Sequence, residues 1–349
     1  MSAGRVIAIR TGALSARVDL RVVAALAGLV AATVAAFLAS VALGEFPVSL
    51  ADVVAALAGA GDEATSFIVF DLRLPRALTA VLAGVALGIA GTVFQDLARN
   101  PLVAPDVIGI TGGASLAAVG LIVFSGSNGA LSVPLAALLG ALITGAVLYG
   151  LAWRGGVHGY RLVLVGIGVA AMLEAGVSYV LTRGQIYEVA QAFVWLVGSL
   201  NGRGWEHVWP LAVTLVALLP LTLLLTRRLA ALQLGDELAR ALGVRAEAAR
   251  LGLFTIATGL SAVAVSAAGP IAFVAFIAPH IARRLCGSTS PFGVLPVAAA
   301  SGALLVLVAD LGGRLLFSPT EIPVGIVTAI LAAPYFLYLL RRANRIGAT

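Results

Sequence analysis

The run VVAALAGLVAATVAAFLASVAL, Val22–Leu43, carries no charged residue across 22 positions. As an α-helix it would be about 33 Å long, which matches the ~30 Å hydrocarbon core of a bilayer. Arg5, Arg10, Arg17 and Arg21 precede it, and its end, SVA at 40–42, faintly resembles a leader-cleavage site. A leader core is only about 7 to 15 residues long, so the run reads as a retained membrane span. Composition agrees. Of 349 residues 61% are hydrophobic and the mean hydropathy is +1.07, whereas soluble domains hold roughly 45–50% apolar residues. The 40 glycines suit helices packed in lipid, where small side chains let backbones approach closely. The expected fold is an all-α integral membrane bundle, a single transmembrane domain over residues 1–349.

Ten apolar segments can be drawn: 20–43, 76–95, 107–124, 131–153, 162–182, 208–226, 250–267, 271–287, 293–316 and 322–340. Pro270 and Pro279 in the eighth and Pro334 in the tenth predict broken helices, whose freed carbonyls need a neighbour or water. An even count puts both termini on one side. With that side cytoplasmic, 17 arginines lie inside and five, Arg73, Arg76, Arg183, Arg203 and Arg314, lie outside. That asymmetry satisfies the positive-inside rule. The expectation is a multi-pass protein of a bacterial cytoplasmic membrane with both termini in the cytoplasm.

All 22 basic residues are arginine; there is no lysine. A P-loop needs its lysine on the nucleotide phosphates, so any ATP that drives this chain is bound, with Mg, by another. The net charge of +6 comes from arginines beside spans and implies lipid contact rather than a nucleic-acid partner. Cys286 is the single cysteine, and His158, His207 and His280 lie far apart with no metal-ligand spacing. No catalytic constellation is visible, so the chain is expected to be a non-enzymatic transport subunit with no metal or cofactor of its own. Two carboxylates fall clearly inside spans, Glu174 and Asp310. Asp310 has Arg314 one helical turn on, a spacing that permits an ion pair. An ion-coupled secondary carrier, the competing transport class, usually needs more buried ionisable groups.

One segment departs from this oily background. Between Arg227 and Arg250 eight of 24 residues are charged. In LQLGDELARALGV, Leu232–Val244, the residues Leu234, Leu238, Ala241 and Leu242 recur at helical spacing, with Asp236, Glu237 and Arg240 elsewhere on the wheel. Asp236 suits the first turn and Gly243 a C-terminal stop. A short amphipathic helix of two to three turns is expected within a cytoplasmic loop at about 227–250. It either lies on the lipid interface or docks in a partner's groove.

The spacing of Glu237, Ala239 and Gly243 resembles the E-A-A-x-x-x-G loop of ABC importer permeases, with Leu238 in place of the middle alanine. Longer stretches resemble the FecCD-type permeases of iron-siderophore, haem and cobalamin importers. These are LRLPRALTAVLAG (72–84), RNPLVAPDVIGITGGAS (99–115), GPIAFVAFIAPHIARRL (269–285) and EIPVGIVTAILAAPYFLYLL (321–340). GYRLVLVGIGV (159–169) and VWLVGSLNGRGWEHV (194–208) look like the ferric enterobactin permeases of that family, which pair with a related but different permease.

The resemblance implies a type II ABC importer permease fold with about ten transmembrane helices, the number of segments drawn above. It implies as partners a cytoplasmic ABC ATPase dimer, a second permease subunit, an extracytoplasmic substrate-binding protein and a ferric chelate substrate. Haem or cobalamin is the alternative cargo. In the family, the loop holding Asp236, Glu237, Ala239, Arg240 and Gly243 carries the coupling helix that engages the ATPase. The arginines that meet carboxylates of the binding protein correspond to Arg73, Arg76 and Arg314; read without the family, the first two anchor the start of a span and the third pairs with Asp310. The cytoplasmic gate corresponds to the loop with Gly155, Gly156, Val157, His158 and Gly159, and the translocation path to the fifth span and the short helix after it. The Pro279–His280 pair is a family hallmark but gives His280 no metal-binding role.

Overall fold

The computed structural model describes every residue except 1–5, 12–13, 45, 47, 126–131, 154–155, 157–158, 317, 319 and 347–349. An antiparallel hairpin, β1 (Val6–Thr11) and β2 (Leu14–Asp19), comes first; nothing in the sequence reading anticipated it. The membrane body is entirely helical. Its helices are α1 (Leu20–Ala42), α2 (Leu50–Leu57), α3 (Glu63–Phe67), α4 (Leu74–Ala98), α5 (Ile110–Ser125), α6 (Ser132–Ala152) and α7 (Gly159–Leu181), followed by α8 (Ile186–Leu196), α9 (Trp205–Gln233), α10 (Asp236–Ala241), α11 (Ala246–Ala268), α12 (Val274–Cys286), α13 (Pro291–Leu315) and α14 (Val324–Ile346). A π-helical turn, Ile68–Arg73, joins α3 to α4.

Each apolar segment forms one helix: α1, α4, α5, α6, α7, α9, α11, α12, α13 and α14 in order. Among the described residues seven helices are long and apolar enough to cross a membrane. The three segments that fall short are α5, α12 and the Val324–Tyr335 part of α14. Of the three prolines expected to break helices, Pro279 lies inside continuous α12 and Pro334 inside α14. The interruption falls at Gly269–Phe273, around Pro270 as expected, where Gly269 (φ 73°) ends α11 and Phe273 (φ 65°) is left-handed. Proline in these helices removes one hydrogen bond but leaves the packed path intact, whereas consecutive positive-φ residues turn the chain.

Polar caps set the entries. Asp19 accepts from the Arg21 amide at 2.9 Å ahead of α1, and Asp62 from the Thr65 amide at 3.2 Å ahead of α3. Helix α4 is the central post, packed on α9, α11, α12 and α13. Its inner positions Ala77, Ala80, Ala83, Ala86 and Ala90 are fully buried. Against α13 the backbones come so close that a Cβ on Gly84 would strike the Gly302 carbonyl, and the reverse also holds. Small residues thus provide van der Waals contact where lipid gives helices no hydrophobic reason to associate. Towards one end Phe94 packs edge-on to Phe254 with centroids 5.6 Å apart.

Candidate functional site

Candidate functional side chains gather at the two ends of α4 and along one face of α7. At the first end Arg73 closes the π turn and donates to the carbonyls of Val41 (2.9 Å), Ala42 (2.8 Å) and Phe46. It thereby satisfies acceptors that the end of α1 leaves open. Arg76, in the first turn of α4, grips Asp310 of α13 at 2.9 Å and Glu321 at 3.0 Å. Arg314 donates to the Ser40 carbonyl at 2.8 Å. Asp310 therefore pairs with Arg76 and not with Arg314, although helical spacing permitted the latter. Asp310 faces α4 across the α4–α13 contact, while Arg314 reaches past it to the end of α1.

Arg73 and Arg314 are buried and the Arg76 side chain is only 12% exposed. Each of the three is held by this chain's own oxygens. All three still border open space. Together with Glu321 and Arg203 they line a cavity of about 400 Å³ at this end. Arg76 and Glu321 also border a neighbouring cavity of about 850 Å³, with Gln191 and Trp195 of α8 and with Asn201. The buried Trp195 indole Nε1 has no hydrogen-bond partner among the described residues.

At the other end of α4 the chain turns at Arg99, whose φ is 49°. Arg99 donates to the Leu232 carbonyl and Asp236 at 2.8 and 2.7 Å, and Arg250 of α11 reaches the same Asp236 oxygen at 2.8 Å. Burial pushes the Asp236 carboxyl up, but the guanidinium groups of Arg250 and Arg99 more than offset this and hold it below the usual carboxylate value of 3.8. Asp236 opens α10, pinned between the end of α4 and the start of α11.

Helix α10 spans six residues, shorter than the two to three turns expected, because the chain enters through Gly235 (φ 113°) and leaves through Gly243 (φ 78°). The Gly243 and Val244 amides donate to Arg240 and Ala239 at 2.9 Å each. This closes the helix with the paired bonds of a Schellman stop, which a left-handed glycine permits. Ala239 is fully buried against the body, whereas Leu234, Leu238 and Leu242 are 59%, 56% and 65% exposed. Glu237 and Arg240 are exposed too. The helix is a fixed peg with its leucines turned outward.

Of the expected gate residues, Gly155, Val157 and His158 lie outside the described residues. Gly156 has a φ of 140°, and a Cβ there would sit 2.9 Å from Glu247; Gly159 begins α7 against the Ala98 backbone. At these two glycines close approach is what the geometry shows.

Along α7, Leu164, Ile167, Ala171, Glu174 and Ser178 form an exposed stripe, while Leu162, Gly166, Val169, Leu173 and Val177 are buried. Glu174 thus stands on an open face about 11 Å from the helix end. A carboxylate facing lipid at such depth costs a few kcal/mol. The face calls for protein or water.

Residues 32–342 match the model of the FecCD transport family. The chain belongs to the FecCD transport family. Among FecCD relatives, the probable siderophore transport system permease protein YfhA of Bacillus subtilis is 42% identical over 89% of this chain and 92% of its own length. The ferric enterobactin transport system permease protein FepG of Escherichia coli is 41% identical over 91% of this chain and 95% of its own. Among solved structures, an inward-facing conformation of a metal-chelate type ABC transporter superposes with a TM-score of 0.81 at 29% identity, covering 91% of this chain and 98% of that one. The FecCD chain is thus an integral membrane permease of the ABC transporter class.

Sequence reasoning missed several polar groups of this FecCD chain. Asp96, at the end of α4, pairs with Arg283 of α12 at 2.9 Å. Arg99 and Arg250, counted only as topology markers, turn out to hold the α10 peg. Asp106, inside a quoted family stretch but given no role, lies 3.5 Å from the Phe273 amide. An acid 2.9 Å from its base in space but 187 residues away in sequence leaves no periodic trace; only the cost of burying Asp96 hints at a partner.

Proposed function

We propose that this chain is a permease subunit of a binding-protein-dependent ABC importer that carries a ferric siderophore across the cytoplasmic membrane, its termini in the cytoplasm. ATP and Mg are bound by a partner ATPase dimer, and this chain performs no catalysis. The observation that carries the proposal is α10: a surface helix with outward leucines, held rigidly by two arginines on one carboxylate. A peg of this kind fits helix-in-groove recognition, and rigidity lets a groove that moves drag it. Arg99 links the peg to α4, whose other end carries Arg76 some 35 Å away, so one buried helix touches both docking regions.

The stripe around Glu174 is where a second permease subunit covers this one, with the cargo path between them. Being ligated by the siderophore, the iron needs no metal ligand from this chain. The binding protein docks on the side of Arg73, Arg76 and Arg314. Its carboxylate takes the place of Glu321 on Arg76, the only one of the three arginines whose internal partner is a partly exposed acid.

The test uses the complete transporter in proteoliposomes. Leu238→Asp with Leu242→Asp should abolish uptake while leaving the complex's own thermal midpoint and basal ATPase activity intact. Undiminished uptake would refute coupling through α10. Competition for uptake among labelled ferric siderophores, haem and cobalamin then identifies the cargo.

A further inference from the structure

On the side of the bundle away from α7 lies a cleft of about 950 Å³ bounded by α1, α4, α9 and α13. Its walls are Val34, Val85, Leu223, Phe292, Leu295 and Ala299. Three threonines also line it, yet each hydroxyl is already engaged with its own helix: Thr33 with Leu29, Thr222 with Leu218 and Thr226 with Thr222, all at 2.8 Å. The lining therefore presents methyl groups, and no polar atom asks for a ligand along its length. The exception is at one end. Arg227 of α9 lines the cleft near Pro291 and Phe292, is exposed, and has neither hydrogen bond nor ion pair among the described residues.

Along α13 the cleft runs from Pro291 to Ala303, about 18 Å of helix. That is close to the thickness of one leaflet, half of the ~30 Å core. Over that length the cleft offers about 950 Å³. Its shape suits acyl chain, and the unpartnered guanidinium at its end suits a phosphate.

We infer that this cleft is a binding site for an anionic phospholipid, with acyl chain between α1, α4, α9 and α13 and the headgroup phosphate on Arg227. On the proposed orientation the lipid belongs to the cytoplasmic leaflet, where anionic headgroups meet basic pockets between helices. The guanidinium–phosphate contact itself does not depend on that orientation. The lipid would fill the space between α9 and the α4–α13 pair that protein atoms leave open.

The experiment is native mass spectrometry of the transporter containing the full-length chain, extracted in mild detergent and titrated with phosphatidylglycerol or phosphatidylcholine. Wild type should retain phosphatidylglycerol about fivefold better, the ratio expected for one basic side chain near the headgroup. Arg227→Gln should bring the two lipids to parity. Leu223→Trp, at a position 60% exposed and free of packing demands, should reduce retention of both. Equal retention by wild type, or an unchanged preference in Arg227→Gln, would overturn the inference. A photo-crosslinking residue replacing Val34 should form lipid adducts; adducts to a second permease subunit instead would show the cleft to be a protein interface and overturn it as well.

Discussion

Arginine serves opposite ends of α4 in opposite ways. Arg76 is nearly buried and answers a fully buried carboxylate, Asp310, whereas the Arg99 side chain is 45% exposed and answers Asp236 at the surface. The first pair holds helices together: removing one partner strands a charge in a medium that cannot solvate it. The second pair contributes little to folding, since water and salt screen it, but it fixes where a surface helix points. Similar N–O distances, 2.9 and 2.7 Å, therefore do different jobs, and burial decides which.

Truncating each arginine breaks the comparison most directly. Arg76→Ala should destabilise the bundle by about 3–5 kcal/mol, read as a lowered thermal midpoint in detergent, with Asp310→Asn in the same chain recovering part of the loss. Arg99→Ala should shift that midpoint by at most about 1 kcal/mol while reducing uptake. Equal destabilisation by the two would erase the distinction.

Gly243→Ala comes next. Its left-handed backbone disfavours any Cβ by about 1–2 kcal/mol, so the stop after α10 should fray and uptake fall, while Ala77→Gly, buried in α4, should act on stability alone. Smaller again is Glu321→Gln, which loosens one partner of Arg76 without exposing Asp310. It should raise affinity for the binding protein severalfold at low salt and less at high salt, measured by calorimetry with the reconstituted complex. An unchanged affinity would remove Arg76 from the docking surface.

The smallest effect is that of pH. The Asp236 carboxyl is depressed in the folded protein, so its contribution is complete above the unfolded value near 3.9 and disappears as pH falls through the lower folded value. A spin label at Arg240→Cys, in a Cys286→Ser chain, should keep constant mobility from about pH 5 to 8 and loosen only below about pH 3.8. Loosening near neutrality would assign the restraint to another group.

Much of this protein is legible along the chain. Every apolar segment became a helix, and Gly243 became the stop it resembled, because span length and left-handed turns depend on neighbours within a few residues. The peg was legible too, as charge in an oily background. Pro270 marked the interruption ahead of α12 while Pro279 and Pro334 broke nothing, and the i to i+4 spacing of Asp310 and Arg314 permitted a pair that does not form. Both depend on what packs alongside, and Arg76 of α4 takes Asp310.

The sequence by itself determined a helical membrane permease, with 17 of its 22 arginines on one side of the spans drawn along it and an amphipathic helix among them. Hydrophobic length and residue chemistry suffice for that. Only the tertiary structure decided that Arg73, Arg76 and Arg314 are held by the chain's own oxygens, that Arg99 and Arg250 pin α10 from separate helices, and that Arg227 lines an apolar cleft with no ion pair among the described residues. A charge's role is set by what surrounds it within a few ångströms, and helices far apart in sequence bring those surroundings together.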